Sequence, residues 1–179
     1  MILRFLKACC LVASLSAPLT LSAQSFPSSF DDILKESAGR YLPAYDWRWW
    51  KAQCYQESKL DPLAVSPKGA MSLSQIMPDT WAEQAGMMGI NASPFNPRAN
   101  ALVGAAYMRR MLRVWKADRS ALDRLRWAQG SYNCGVGCVL RAQKRAEGET
   151  VWVLVSPFVP RETRAYVLKI GHWYGEMAE

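Results

Sequence analysis

The chain contains a single histidine, His172, and its five cysteines include no Cys-x-x-Cys pair. Metal sites of the zinc type need several such ligands at short, fixed intervals, so no metal centre or other cofactor is expected. His172 itself reads as a surface or lightly packed ring near the C-terminus. Long basic runs are also missing, although the formal charge is +7. A nucleic-acid binder would concentrate Lys and Arg on one surface, and this sequence does not. Beyond the N-terminus no apolar stretch approaches the ~20 residues that a membrane span needs. Internal repeats, low-complexity tracts and a clear second strand are absent too, which excludes solenoids and leaves little basis for a β-sheet.

What the chain does have at its start is an export signature. Arg4 and Lys7 precede a short apolar run from Ala8 to Leu21, and Leu21-Ser22-Ala23 offers a cleavage site. The expected organisation is a signal peptide over residues 1–23 and one domain over residues 24–179. About 156 residues are enough chain to bury a sizeable core. Cleavage would leave a charge of +5 and three cysteines, Cys54, Cys134 and Cys138, in an oxidising compartment. Gly135 and Gly137 give the Cys134–Cys138 segment the freedom to close a disulfide, with Cys54 as a buried thiol. Spacing leaves open a pairing of Cys54 with either of the others.

Helical periodicity dominates the remainder. Ser29 can cap a helix through Tyr41 that buries Phe30, Ile33 and Leu34 and stops at Pro43. Asp46 can cap a second, closing near Leu60, whose stripe carries Trp50, Cys54 and Glu57 while Arg48, Lys51 and Lys59 point elsewhere. Leu63 to Met77 has loop chemistry, and Pro78 opens a helix over Asp79 to Ala85 that is expected to end at Gly86 and Gly89. The most regular segment, Arg98 to about Ala117, places Ala101, Ala105, Met108, Leu112 and Trp115 on one face, with a wet basic face opposite. A helix from Ser120 or Ala121 to Tyr132, an interruption at Asn133–Gly137, a short helix over Val139–Ala146 and a final helix over Arg161–Gly175 complete the pattern. Val151–Val155 is read as a turn or short helical piece.

Glu57 is the chemically interesting residue, because a carboxyl on a buried stripe is costly unless it is protonated or paired. The protonated form is what a general acid needs near neutral pH. An ordinary helix-end glutamate reaching solvent is the competing explanation, and the residues after it decide between the two. From Glu57 the chain reads Glu-Ser-Lys-Leu-Asp-Pro-Leu-Ala-Val-Ser-Pro-Lys-Gly-Ala-Met-Ser-Leu-Ser-Gln-Ile-Met-Pro, with Thr80 close behind. Farther on stand Ser131-Tyr132-Asn133-Cys134-Gly135-Val136-Gly137 and Pro160-Arg161-Glu162-Thr163-Arg164-Ala165-Tyr166-Val167. These three pieces, in this order, closely resemble the motifs of the soluble-type (family 1, SLT-domain) lytic transglycosylases. Two departures stand out: Ser72 replaces a usual glycine, and Ser74 replaces a common Met or Trp.

The resemblance implies a mainly α, lysozyme-like single domain with a substrate groove between helices. It implies an exported, periplasmic or secreted murein lyase that cuts the β-1,4 bond between N-acetylmuramic acid and N-acetylglucosamine, leaving a 1,6-anhydro end. Glu57 would be the single acid and base. Ser66 and Gln75 would hydrogen-bond in the groove, Met77 would supply an apolar wall, Tyr132 and Asn133 would face the acid, and Glu162 would orient sugar or backbone. Each has a purely structural alternative: core packing for Met77 and Tyr132, turn shaping for Asn133, and dipole stabilisation for Glu162. The expected partner is the peptidoglycan glycan strand, met by a monomer, with an envelope-spanning secretion or conjugation apparatus as a further setting. Competing functions are a peptidoglycan-binding component with little catalysis and a lysozyme-like hydrolase. The latter needs a second carboxylate across the bond, and Asp61 and Asp79, the nearest in sequence, both have structural explanations.

Overall fold

Asp46 opens the helix that carries Glu57: its Oδ1 accepts from the Arg48 amide at 2.9 Å, satisfying one of the orphan donors of the first turn. The computed structural model describes residues 26–179, so the expected signal segment lies outside the described residues. The described residues form eight helices: α1 (Asp31–Tyr41), α2 (Trp47–Ser58), α3 (Pro78–Met88), α4 (Pro97–Val114), α5 (Ala121–Cys134), α6 (Val136–Arg145), α7 (Trp152–Val155), extended by a 3₁₀ turn (Ser156–Phe158), and α8 (Arg161–Ala178). The mainly α class expected from periodicity is the one observed, and among the described residues β pairing is limited to isolated bridges at Val65–Met71 and Met71–Ile76. Among the described residues no helix is long and apolar enough to cross a membrane.

Helix α2 lies along α8, α1 lies along α4, and α4 and α8 both pack on α5. The core between them is aromatic and aliphatic, with Leu34, Trp50, Met108, Trp127 and Ile170 all essentially out of solvent. Trp127 donates its indole N–H to the Thr150 carbonyl at 3.0 Å and Trp115 donates to Ser131 Oγ at 3.1 Å, so two of the buried indoles keep their polar atoms bonded.

Several boundaries move from the sequence-based expectation. α1 starts at Asp31, and the residue before it, Phe30, makes no side-chain cap, so Ser29 is not its N-cap. α3 continues through Gly86 to Met88, and the stop is Gly89 at φ 64°. α4 ends at Val114, three residues early, so Trp115 reaches the core from beyond the helix. The break between α5 and α6 is confined to Gly135 at φ 84°, and Asn133 and Cys134 stay helical. Lys51 lies off the Glu57 stripe, as expected, but not in water. It is buried, with Nζ 2.7 Å from Asp31 Oδ1, a charge contact without the alignment of a hydrogen bond. Cys134 and Cys138 form the disulfide across Gly135, and Cys54 is a buried free thiol.

The segment joining α2 to α3 holds the main concentration of backbone strain. Lys59, Leu60, Ser72 and Gln75 all take positive φ (57°, 63°, 63° and 47°) without being glycine. A dense set of bonds holds them there. Ser58 Oγ donates to the Leu73 carbonyl at 2.9 Å, and the Ser72 amide donates to the Ala64 carbonyl at 2.8 Å. From α4, the buried Asn100 accepts from the Ser74 amide (2.9 Å) and hydroxyl (2.6 Å) through Oδ1, and its Nδ2 donates to the Met71 (3.2 Å) and Pro94 (3.0 Å) carbonyls. Ser74 fits because Gly104 of α4 lacks a side chain: a Cβ there would lie 2.4 Å from Ser74 Oγ.

Two stability outcomes follow from this segment. Ser72 is fully buried, strained and has a hydroxyl with no partner. Ser72→Gly removes the left-handed cost and the orphan hydroxyl, about 1–3 kcal/mol each, against ~0.4–1 kcal/mol of added chain entropy. The variant should therefore melt several degrees above the parent in a thermal scan; an unchanged or lower midpoint refutes the account. Gly104→Ala should cost about 1–3 kcal/mol through overpacking against Ser74, read as a lower urea midpoint with the slope unchanged.

Candidate active site

The C-terminal end of α2, the strained loop, the end of α5 and the start of α8 enclose a cleft of about 450 Å³. Glu57, Ser66, Gln75, Met77, Tyr132, Asn133 and Glu162 all line it. Residues from four separate stretches thus meet around one space. A hollow of similar volume beside Cys138, Arg141 and Phe158 contains no carboxyl and lies against α6 instead.

Glu57 sits on the last turn of α2, one turn beyond the buried Cys54 and two beyond the buried Trp50. The residue retains some exposure through the cleft, while its carboxyl is largely enclosed. Burial pushes its pKa from 4.5 up to about 8, against the opposing effect of a hydrogen bond from Tyr166. That bond, Tyr166 OH to Glu57 Oε1, is 2.5 Å long and is the one hydrogen bond the carboxyl receives among the described residues. No cation offsets the burial, so the neutral acid is favoured around neutral pH. Burial, and next the nearby Glu57 charge, also raise the Tyr166, Tyr132 and Cys54 groups well above their usual ranges. The acid is therefore walled by hydroxyls and a thiol that stay protonated.

The other cleft residues are held by bonds that leave part of each free. Gln75 Nε2 donates to the Ser72 (2.9 Å) and Ala64 (3.2 Å) carbonyls, which fixes the amide's orientation and leaves Oε1 for a ligand. Ser66 Oγ accepts from the Ala70 amide at 2.9 Å, leaving its hydroxyl hydrogen to donate. Tyr132 donates to the Ser74 carbonyl at 2.9 Å and so ties α5 to the loop across from Glu57. Asn133 Oδ1 accepts from Thr163 at 2.7 Å, joining α5 to the first turn of α8. Met77 is 42 % exposed, which places it on the cleft wall and not in the core. Glu162 is exposed at the mouth and is the second carboxyl lining the cleft. Asp61 and Asp79 do not line it; Asp61 Oδ1 is taken by the Leu63 amide at 2.8 Å.

Sequence reasoning missed three supporting residues. Tyr166 follows Glu162 by four on α8, the spacing that puts two side chains on one face. That alone does not reveal its bond to an acid 109 residues away. Asn100 was hidden inside an apolar stripe, where an unexplained amide is the only signal. Ser58 was read as part of a motif, without its role as the bridge from α2 to the loop.

The family model described as "Transglycosylase SLT domain" matches residues 42–155. Among curated relatives, the membrane-bound lytic murein transglycosylase F of Aliivibrio fischeri is 30% identical over 147 residues, covering 78% of this chain and 29% of the relative. Its counterpart from Maricaulis maris is 34% identical, covering 64% and 24%. The 70 kDa soluble lytic transglycosylase of Escherichia coli superposes with a TM-score of 0.68 at 27% identity, over 84% of this chain and 24% of that one. An inactive glutamate-to-glutamine mutant of lytic transglycosylase Slt from Pseudomonas aeruginosa gives 0.71 at 25% identity, over 86% and 25%. The chain thus spans less than a third of the length of these proteins, and the expected lysozyme-like architecture is shared with the structures. With a family match over more than half its residues, this chain belongs to the SLT transglycosylase family.

Proposed function

We propose that the protein is an exported peptidoglycan lytic transglycosylase that cleaves the bond between N-acetylmuramic acid and N-acetylglucosamine without water. The observation that carries this reading is the enclosed Glu57 carboxyl, kept neutral by burial, at the floor of a cleft of polar hydroxyls and amides. Glu57 gives its proton to the glycosidic oxygen as the C1–O bond breaks, and the leaving sugar departs as an alcohol. The 6-hydroxyl of the muramic acid then attacks C1 and returns its proton to the Glu57 carboxylate. One bond forms, one breaks, and the acid is restored with no net uptake of water. Tyr166 steadies the carboxylate between the two steps by donating to Oε1. Gln75 and Ser66 orient sugar amide and hydroxyl groups, and Met77 offers an apolar wall. Asn133 and Glu162 border the mouth. Neighbours named as murein transglycosylases support the substrate class, and the envelope outside the cytoplasm is the compartment that holds it.

Glu162 favours a second reading, because a hydrolase needs a carboxylate facing the acid. Product analysis separates the two. Mass spectrometry of digested murein should show 1,6-anhydro ends, and these should persist in Glu162→Gln; reducing ends would establish hydrolysis instead. Glu57→Gln should lower murein clearing by about 10²–10⁴-fold, the usual worth of a general acid–base. Full clearing by that variant would refute Glu57 as the acid, whereas no clearing by either protein, with murein binding kept by both, would leave a binding role.

The raised pKa sets two pH dependences. Activity should fall as pH climbs through about 8, because the acid is then ionised before substrate arrives. For stability the sign runs the same way. The native state holds the proton more tightly than the unfolded chain, so this contribution is full below pH ~4.5 and lost as pH rises to about 8. Glu57→Gln should match the parent's melting temperature near pH 4 and exceed it near pH 9; equal values at both would show that the carboxyl is not desolvated.

A further inference from the structure

A further cavity of about 300 Å³ lies between α2, α5, α7 and α8 and shares no lining residue with the Glu57 cleft. On α8 its residues Arg164, Leu168 and Gly171 recur at four and three. Glu162 and Tyr166, which line the cleft, sit on a different face of the same helix. Trp49 and Trp152 form its walls, and Trp49 is held rigid by stacking on Tyr174 at 3.9 Å. At the rim, Val153 and Leu168 are about two-thirds exposed (65 % and 67 %), an apolar lip next to a pocket.

Its polar groups are unspent. Arg126 and Arg164 both line the cavity, and among the described residues neither side chain forms an ion pair or a hydrogen bond; no carboxylate lines it. Gln129, 1 % exposed, also lines it, and neither its Nε2 nor its Oε1 has a partner. A buried amide that forms no bonds is costly and calls for an explanation. The terminal torsion of glutamine is soft, so a rotation can turn donor and acceptor toward the cavity.

We infer that this cavity is a binding site for the carboxylate end of a short peptide bearing an aliphatic side chain. The two guanidinium groups suit a carboxylate, to which arginine donates in pairs. The paired donor and acceptor of Gln129 match the C=O and N–H of one peptide unit. The indole walls and the Val153–Leu168 lip cover the aliphatic group. The inference is independent of the chemistry at Glu57.

The probe is N-acetyl-leucine, compared with N-acetyl-leucinamide, titrated into the full domain carrying Glu57→Gln and followed by NMR. Saturable shifts are expected at the Trp49 and Trp152 indoles and at the Gln129 side-chain amide, with the acid bound at least about tenfold more tightly than the amide. Arg126→Ala/Arg164→Ala, which changes partly exposed positions, should abolish that preference while leaving murein clearing by the Glu57-containing protein intact. Equal binding of acid and amide, shifts confined to the Glu57 cleft, or no saturable shift would each overturn the assignment.

Discussion

Withdrawing the Glu57 carboxyl from water is the constraint on which the rest of this structure turns. Among the described residues it is opposed by a single hydrogen bond from Tyr166 and by no cation. Had an arginine faced it, the acid would be ionised throughout the neutral range and unable to donate a proton. Trp50 and Cys54 on the preceding turns and Tyr132 and Tyr166 from α5 and α8 make the enclosure, so two distant helices must be in register for the acid to exist as such.

The loop after α2 answers to the same demand. A short stretch must turn sharply enough to bring Ser66, Gln75 and Met77 onto one cleft wall, and it does so with four non-glycine residues in the left-handed region. Such strain persists only where surrounding bonds over-determine it. Here they come from Ser58 at one end, Tyr132 on the far side, and Asn100 beneath. Ser74 is the meeting point: its amide and hydroxyl go to Asn100, its carbonyl to Tyr132, and its side chain nests against Gly104. The serine that departs from the family pattern at this position is therefore compensated on the helix below it. Ser72 has no such compensation, since its hydroxyl is buried without a partner.

The Cys134–Cys138 link spans the only residue that interrupts α5 and α6, Gly135. It lies immediately after Tyr132 and Asn133, which connect α5 to the loop and to α8. A covalent tie at this point limits the freedom of a junction that a glycine would otherwise leave loose. Helix α8 then serves two spaces, with Tyr166 turned to the acid and Arg164 and Leu168 turned to the indole-walled cavity.

Much of the helical framework was legible from local chemistry: the Asp46 cap, Pro78 at a first turn, and the Ala101–Ala105–Met108 stripe. Periodicity and capping act within a few residues, so they survive without tertiary information. Glu57 was legible because a carboxyl on an apolar stripe is anomalous by itself, and its neighbours in the motif identified the family. Tertiary structure alone decided what keeps that acid neutral. The Tyr166 bond, the Asn100 anchor, the Lys51–Asp31 contact and the burial of Ser72 join residues far apart in the chain, and no local rule ranks such pairings. Desolvation is a property of everything packed around a group, and that is known only once the chain has folded.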